Sequence, residues 1–381
     1  MQKFPVQLVV EPSQGRCFAD GEFLQHQIDM SENLHDCDIL LGVKEIPVQY
    51  LLPGKTYFIF SHTIKKQPHN RKLLQAVLEK NIRLIDYEVL KDEKGNRLIA
   101  FGRFAGMVGA HNALWTYGER TGFFSLKRMK DHHDYQEAKQ FYRTVKFPAL
   151  KIVLTGTGRV GSGAAEVLHD MGIEMVTPHD FLHQNHTQAV FTQLDCRHYA
   201  AKKDGGHFEK RDYYRHPDHY KSVFAPFYRK ADIMINGIFW DSRAPAFFTL
   251  KEMSQPDFNL QVIADVTCDI APNSSVPSTI RASSIQNPVY GFDPHTQTET
   301  KPFQPGMIDV MAIDNLPNEM PRDASTTFGE LFIRHILPEL LLENSPVIEH
   351  ATIAEGGSLT KHFRYLEDYA YELHTDLSQV L

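Results

Sequence analysis

Apolar residues follow two periods along this chain. Short aliphatic and β-branched runs stand at Val6–Val10, Asp38–Val43 (DILLGV), Thr56–Phe60 (TYFIF), Ile82–Tyr87 (IRLIDY) and Arg97–Phe101, each with the length of a strand. Between them, Phe18–Gln27 and Asn70–Lys80 keep helical spacing, the second with Leu73, Leu74, Val77 and Leu78 on one face. Strands alternating with helices predict an α/β fold built on parallel, doubly wound sheets.

The alternation continues past residue 100. Gly106–Gly118 and Tyr135–Val145 read as helices, Lys151–Thr155 as a buried strand, Ala164–Met171 as a helix and Glu174–Thr177 as a strand. Pro178–Tyr228 is polar, His-rich and aromatic, and reads as a long insertion with little periodicity. Ala231–Gly237 and Gln261–Asp265 are again buried strands. Ser275–Lys301 is loop-like around one strand at Val289–Phe292, and amphipathic helices are expected at Ala324–Leu342 and Leu359–Leu373.

Chemistry concentrates where strands end. ALKIVLTGTGRVGSG places Gly156, Gly158, Gly161 and Gly163, with Arg159 and Val160 among them, between a strand and a helix. In that context a G-x-G-x-x-G run is a dinucleotide fingerprint, with glycines for the tight turn, the close approach of a pyrophosphate and the helix–strand contact. The helix N-terminus adds unpaired N–H groups and a positive dipole end. An acidic residue ending the second nucleotide strand would hold the adenosine ribose, and Asp180 lies near that place, so NAD is favoured over NADP. Asn236–Gly237, Asp265 and Asp314 are placed as further cofactor contacts, with ordinary strand-to-loop polarity as the alternative. In the first hundred residues Lys44, Glu45, His62 and Glu88 all fall at or just after predicted strand ends, where parallel sheets bind ligands.

Composition narrows the classes. The chain has 381 residues, long for one core, and two domains are expected. A net charge of -7 with dispersed Lys and Arg gives no footprint for nucleic acid or for an anionic membrane. Cys17, Cys37, Cys196 and Cys268 are far apart, which fits a reducing compartment, and with no spanning run a soluble cytoplasmic protein is expected. His179, His183 and His186 are close together but lack an acidic or thiolate partner at ligand spacing, so no metal is assigned.

Several segments together carry a family resemblance. LGVKEIP, FSHTIKKQ, RLIDYE, GNRLIAFGRFAG, TGTGRVGSG, NGIFW and AIDNLPNEMPRDAS resemble the lysine-forming saccharopine dehydrogenases and the lysine–ketoglutarate reductase half of aminoadipic semialdehyde synthase. The wider superfamily includes alanine dehydrogenase and transhydrogenase. The resemblance implies two Rossmann-like domains with an active-site cleft between them: residues 1–103, completed by 322–381, for substrate, and 104–321 for the dinucleotide. It implies a reaction in which saccharopine, NAD(P)+ and water give lysine, 2-oxoglutarate and NAD(P)H, in a monomer or homodimer. By the same resemblance Lys44 and His62 are the acid–base pair, and Glu45, Lys65, Glu88, Arg97 and Phe101 line the substrate pocket. A Lys and a His with pKa values lowered by burial or nearby positive charge suit this chemistry, and Arg97 and Lys65 suit a substrate with several carboxylates. The family's opening strand, with an R-x-E-like segment, has no counterpart after Met1; either the start is truncated or one strand and one substrate contact are lacking. Two other functions stay open: oxidative deamination of a simple amino acid, and nucleotide sensing without turnover.

Overall fold

The computed structural model describes residues 4–371 and divides into two units, Met1–Ala100 with Ser325–Leu381, and Phe101–Ala324. In the first unit a five-stranded sheet has the order Ser358–Leu359, Thr352–Glu355, Arg83–Asp86, Thr56–Ile59, Ile39–Leu41. The last three strands are parallel and the two C-terminal ones antiparallel. Helix Arg71–Glu79 buries Leu73, Leu74, Val77 and Leu78 in one cluster with Tyr57, Leu84 and Ile353. On Phe58, Phe332 packs edge-on with ring centroids 5.7 Å apart.

Several expectations for this unit need correction. The run DILLGV is not a buried strand: only Leu40 is covered, while Ile39 and Leu41 are 36% and 48% exposed, because the strand is the sheet edge among the described residues. Arg97–Phe101 forms no strand. A single bridge, Lys91 to Arg97, closes a turn whose Asp92 carboxylate accepts from Lys94 N at 3.0 Å and Asn96 N at 2.7 Å. Of Val6–Val10 only Val9–Val10 pairs, with Asp29–Met30, and the following helix is Asp20–Gln25. The C-terminal helices are broken: Pro321–Leu331 passes through a π turn at Phe332–Ile336 into Leu337–Leu340. Lys361–Leu366 is 3-10 and Glu367–Tyr371 is α, while residues 372–373 of the expected last helix lie outside the described residues.

The second unit is an eight-stranded sheet. Its parallel part runs Glu174–Met175, Val190–Leu194, Lys151–Thr155, Ile233–Asn236, Val262–Asp265, Ile308–Met311, and Tyr290–Asp293 and Thr298–Thr300 extend it antiparallel. From Lys151–Thr155 the chain runs first to the edge strand Glu174–Met175, comes back to fill the place between them with Val190–Leu194, and then crosses to build on the other side, so the order reverses between Lys151–Thr155 and Ile233–Asn236. Such a switch point leaves a crevice at the carboxyl ends. Helices Gly102–Thr121 and Arg159–Asp170 cross there at backbone distance, since a Cβ on Gly106 would overlap Val160 O and one on Gly163 would overlap Arg103 O.

The stretch Pro178–Tyr228 is not an aperiodic insertion. It contains Val190–Leu194, the immediate neighbour of the glycine-loop strand, paired from Lys151↔Val190 to Thr155↔Leu194. The rest folds as short helices and an Ala200–Lys202/Tyr220–Ser222 hairpin over a cluster that includes Tyr199, Tyr213, Phe224 and Phe247. Strand Glu174–Met175 is shorter than expected and both residues are exposed. Ile308–Met311, which joins the parallel part beside Val262–Asp265, is a strand beyond those the apolar pattern predicts. No disulfide joins the four cysteines, and among the described residues no helix is long and apolar enough to cross a membrane.

Candidate active site

In the first unit three parallel strands end side by side, with Leu41 paired to Phe58 and Ile59 to Asp86. The next residues of each chain segment therefore meet. After Leu41 come Lys44 and Glu45, after Ile59 comes His62, and after Asp86 comes Glu88. His62 Nδ1 is hydrogen-bonded to Glu45 Oε1. Burial acts to raise the Glu45 pKa, but the hydrogen bond and charge of His62 outweigh it and leave the carboxyl below its ordinary value. Lys44 itself is exposed. Glu88 gathers the cations: Arg97 Nη2 lies 2.6 Å from Oε1 and Lys65 Nζ 3.4 Å from Oε2, while Arg97 Nε donates to the Glu88 carbonyl at 3.0 Å.

His62 has φ +52°, a left-handed conformation uncommon outside glycine. Residues held that way concentrate at functional sites. Phe101, expected beside this cluster, belongs to the second unit. It stands at the N-terminus of helix Gly102–Thr121 and packs against that unit's core.

The second unit presents backbone rather than charge. Gly156 has φ +97°, and a Cβ there would stand 2.5 Å from Gly237 O. A Cβ on Gly161 would overlap Gly156 O. Gly158 has nothing within 4 Å of its Cβ position, so the loop is open to a phosphate where helix Arg159–Asp170 begins. Gln193 Nε2 donates to Gly156 O at 2.9 Å and steadies the turn. Val160 packs on Gly237, and Arg159 opens the helix. These residues could hold a dinucleotide's pyrophosphate.

The strand-end position expected of Asp180 is not what the structure shows. Asp180 does not end a strand. It is the third residue of helix Pro178–His183, bonded to the capping Thr177 hydroxyl at 2.7 Å and to Gln184 at 2.6 Å. The residue that follows the strand beside the glycine loop is Asp195. It caps helix Cys196–Tyr199, and its carboxylate lies 2.9 Å from Arg197 Nε. The sequence signal was VFTQLD, an alternating run ending in an acid.

Asn236 and Asp265 do end adjacent strands, but both side chains are fully buried. Thr155 donates to Asn236 at 2.8 Å, Asn236 to Asp265 at 2.8 Å, and Thr279 to Asp265 at 2.6 Å. Burial pushes the Asp265 carboxyl up to about 6 against the pull of those hydrogen bonds. The pair braces the strand ends beneath the crevice, whereas Asp314 is exposed just beyond strand Ile308–Met311. Of the three histidines, His179 and His183 stack at 4.4 Å and His183 Nδ1 is hydrogen-bonded to the His179 carbonyl.

The fold is that of the two-domain alanine dehydrogenases and transhydrogenases. An L-alanine dehydrogenase matches with a TM-score of 0.61 at 13% identity, over 95% of this chain and 90% of that one. A transhydrogenase from Sinorhizobium meliloti matches at 0.58 and 13%, over 94% and 92%. Within the sequence, residues 1–108 match the family Alanine dehydrogenase/PNT, N-terminal domain. The resemblance to saccharopine dehydrogenases is borne out as well. The chain is 29% identical to mitochondrial alpha-aminoadipic semialdehyde synthase of Mus musculus, over 96% of this chain and 44% of that protein. It thus spans less than half the length of that relative. It is 27% identical to the saccharopine dehydrogenase [NAD(+), L-lysine-forming] of Schizosaccharomyces pombe, over 90% of this chain and 87% of that enzyme.

Proposed function

We propose that the chain is an NAD-dependent oxidoreductase interconverting saccharopine with lysine and 2-oxoglutarate. The observation that carries this reading is the strand-end cluster of the first unit, where a Glu45–His62 pair stands with the Lys65–Glu88–Arg97 group. The similarity to lysine-forming saccharopine dehydrogenases supports the choice of substrate.

A dinucleotide, when held at the glycine loop, would supply the hydride acceptor. The chain's own residues handle protons and carboxylates. The secondary amine of saccharopine has to be neutral before its neighbouring carbon gives up hydride. Glu45, acting on Nδ1, leaves Nε2 of His62 to take that proton. Lys44 serves as the second proton carrier, activating the water that adds to the resulting imine. Arg97 and Lys65, already drawn together by Glu88, bind substrate carboxylates, the guanidinium in bidentate fashion. Two cations suit a multi-carboxylate substrate better than alanine. Asp195, rather than Asp180, takes the ribose hydroxyls and favours NAD.

The test follows loss of NADH absorbance with lysine plus 2-oxoglutarate, omitting each in turn, repeated with NADPH, and with pyruvate plus ammonia alongside. Oxidation that needs both lysine and 2-oxoglutarate is expected. Turnover with pyruvate and ammonia alone would move the chain to the alanine-deaminating class.

A further inference from the structure

We infer that Asp86 is a positioning residue: one buried carboxylate that sets both the His62 loop and the Glu88 turn. This rests on the proposed roles of His62 and Glu88.

Asp86 ends the central strand Arg83–Asp86 and is 0% exposed. Its Oδ2 accepts from Ser61 N at 2.9 Å and from Ser61 Oγ at 2.5 Å, and its Oδ1 accepts from Glu88 N at 2.7 Å. Ser61 Oγ in turn contacts Thr63 Oγ1 at 2.8 Å and accepts from Thr63 N at 3.3 Å. His62 is thereby gripped on both sides while it holds its left-handed φ. The far end of the same loop is tied by Tyr369, whose hydroxyl donates to the Gln67 carbonyl at 2.5 Å. Through Glu88 N the carboxylate also fixes the turn whose side chain holds Arg97 and Lys65.

What sets Asp86 apart from the other buried acids is where its partners lie: Asp265 also has only neutral donors, Asn236, Thr279 and Cys268 N, but these brace strand ends and not the His62 loop or the Glu88 turn. Asp309 is paired with Arg120 and Glu319 with Arg128. Among the described residues the partners of Asp86 are all neutral donors, and every one of them lies in the His62 loop or the Glu88 turn. A buried carboxylate without a cation is a poor way to gain stability. It is an effective way to impose one backbone geometry on two loops.

The experiment compares Asp86→Asn, Ser61→Ala and His62→Gln in the full chain, with lysine, 2-oxoglutarate and NADH. Asn keeps the shape but turns an NH2 toward donors, so the loops lose their common anchor. Expected is a kcat loss of about 100-fold for Asp86→Asn and about tenfold for Ser61→Ala, as for reacting groups displaced by about 1 Å. KM for NADH stays unchanged in both, and kcat is referred to the concentration of NADH-binding sites from fluorescence titration, so that loss of folded protein does not count as loss of turnover. Wild-type kcat in Asp86→Asn overturns the inference. Should Asp86→Asn fail to fold, Ser61→Ala decides alone, and an unchanged kcat there overturns it. Full activity in His62→Gln would instead sink the acid–base assignment, and this inference with it.

Discussion

The carboxyl ends of the two parallel sheets are built on opposite plans. In the first unit the strand ends carry part-exposed charged side chains, Glu45 with His62 and Glu88 with Lys65 and Arg97. In the second they carry glycines above a sealed polar layer of Thr155, Asn236 and Asp265. The acids follow suit, since Glu45 is lowered below its ordinary pKa by His62 while Asp265 is raised to about 6 by burial. One end presents titratable side chains, the other backbone at an open glycine turn. On the proposed function, parallel strand ends would serve proton transfer where their side chains are part-exposed, and nucleotide binding where those side chains are locked beneath a glycine loop.

The sharpest way to break the comparison is on the charged side. His62→Gln and Lys44→Met are expected to cut turnover by about 10²–10⁴-fold, the usual worth of a general acid–base group, with NADH affinity by fluorescence titration unchanged. Next comes the glycine side. Gly161→Ala forces a methyl into Gly156 O and should cost about 1–3 kcal/mol of stability along with NADH binding. Gly158→Ala, with open space around it, should leave the melting temperature alone and weaken only NADH binding. Asp195→Ala should weaken NADH about tenfold and narrow its advantage over NADPH, whereas Asp180→Ala should leave both affinities unchanged, as read by KM for each cofactor.

The smallest expected effect is in pH dependence. Folded Asp265 keeps its proton up to about pH 6, whereas the unfolded group, with an ordinary pKa of 3.8, releases it earlier. Stability from this group is therefore fully present below the unfolded pKa and is lost as pH rises toward about 6, at roughly 1.4 kcal/mol for each pH unit crossed between the two pKa values. Glu45 has the opposite sign: its contribution is present at neutral pH and is lost as pH falls through its lowered pKa. Going from pH 4 to pH 7, the urea midpoint of Asp265→Asn should move further toward greater stability than that of the wild type, because the Asp265 contribution that is lost over this range is missing. An unaltered difference would mean that Asp265 does not titrate as described.

Much of the fold was legible because its signals are local. The strand, glycine turn and helix of residues 151–170 declare themselves within twenty residues through β-branched runs, glycine spacing and helical periodicity. The placement of Lys44, Glu45, His62 and Glu88 just past strand ends followed from the same runs. Arg97–Phe101 misled because its apolar residues look like a strand, while the Asp92 side chain offers the backbone a turn instead.

Tertiary structure alone decided which strands are neighbours. Val190–Leu194 lies about forty residues after Lys151–Thr155 yet pairs with it along its whole length, and that pairing puts Asp195, not Asp180, next to the glycine loop. Likewise nothing local marks Ser61, Asp86 and the Glu88 amide as one hydrogen-bonded unit, or buries Asn236 and Asp265 while leaving Asp314 exposed. Periodicity records how a side chain meets its own backbone within a few residues. Strand order, burial and the company a carboxylate keeps depend on distant segments finding one another, and a single chain read in sequence carries no direct mark of those encounters.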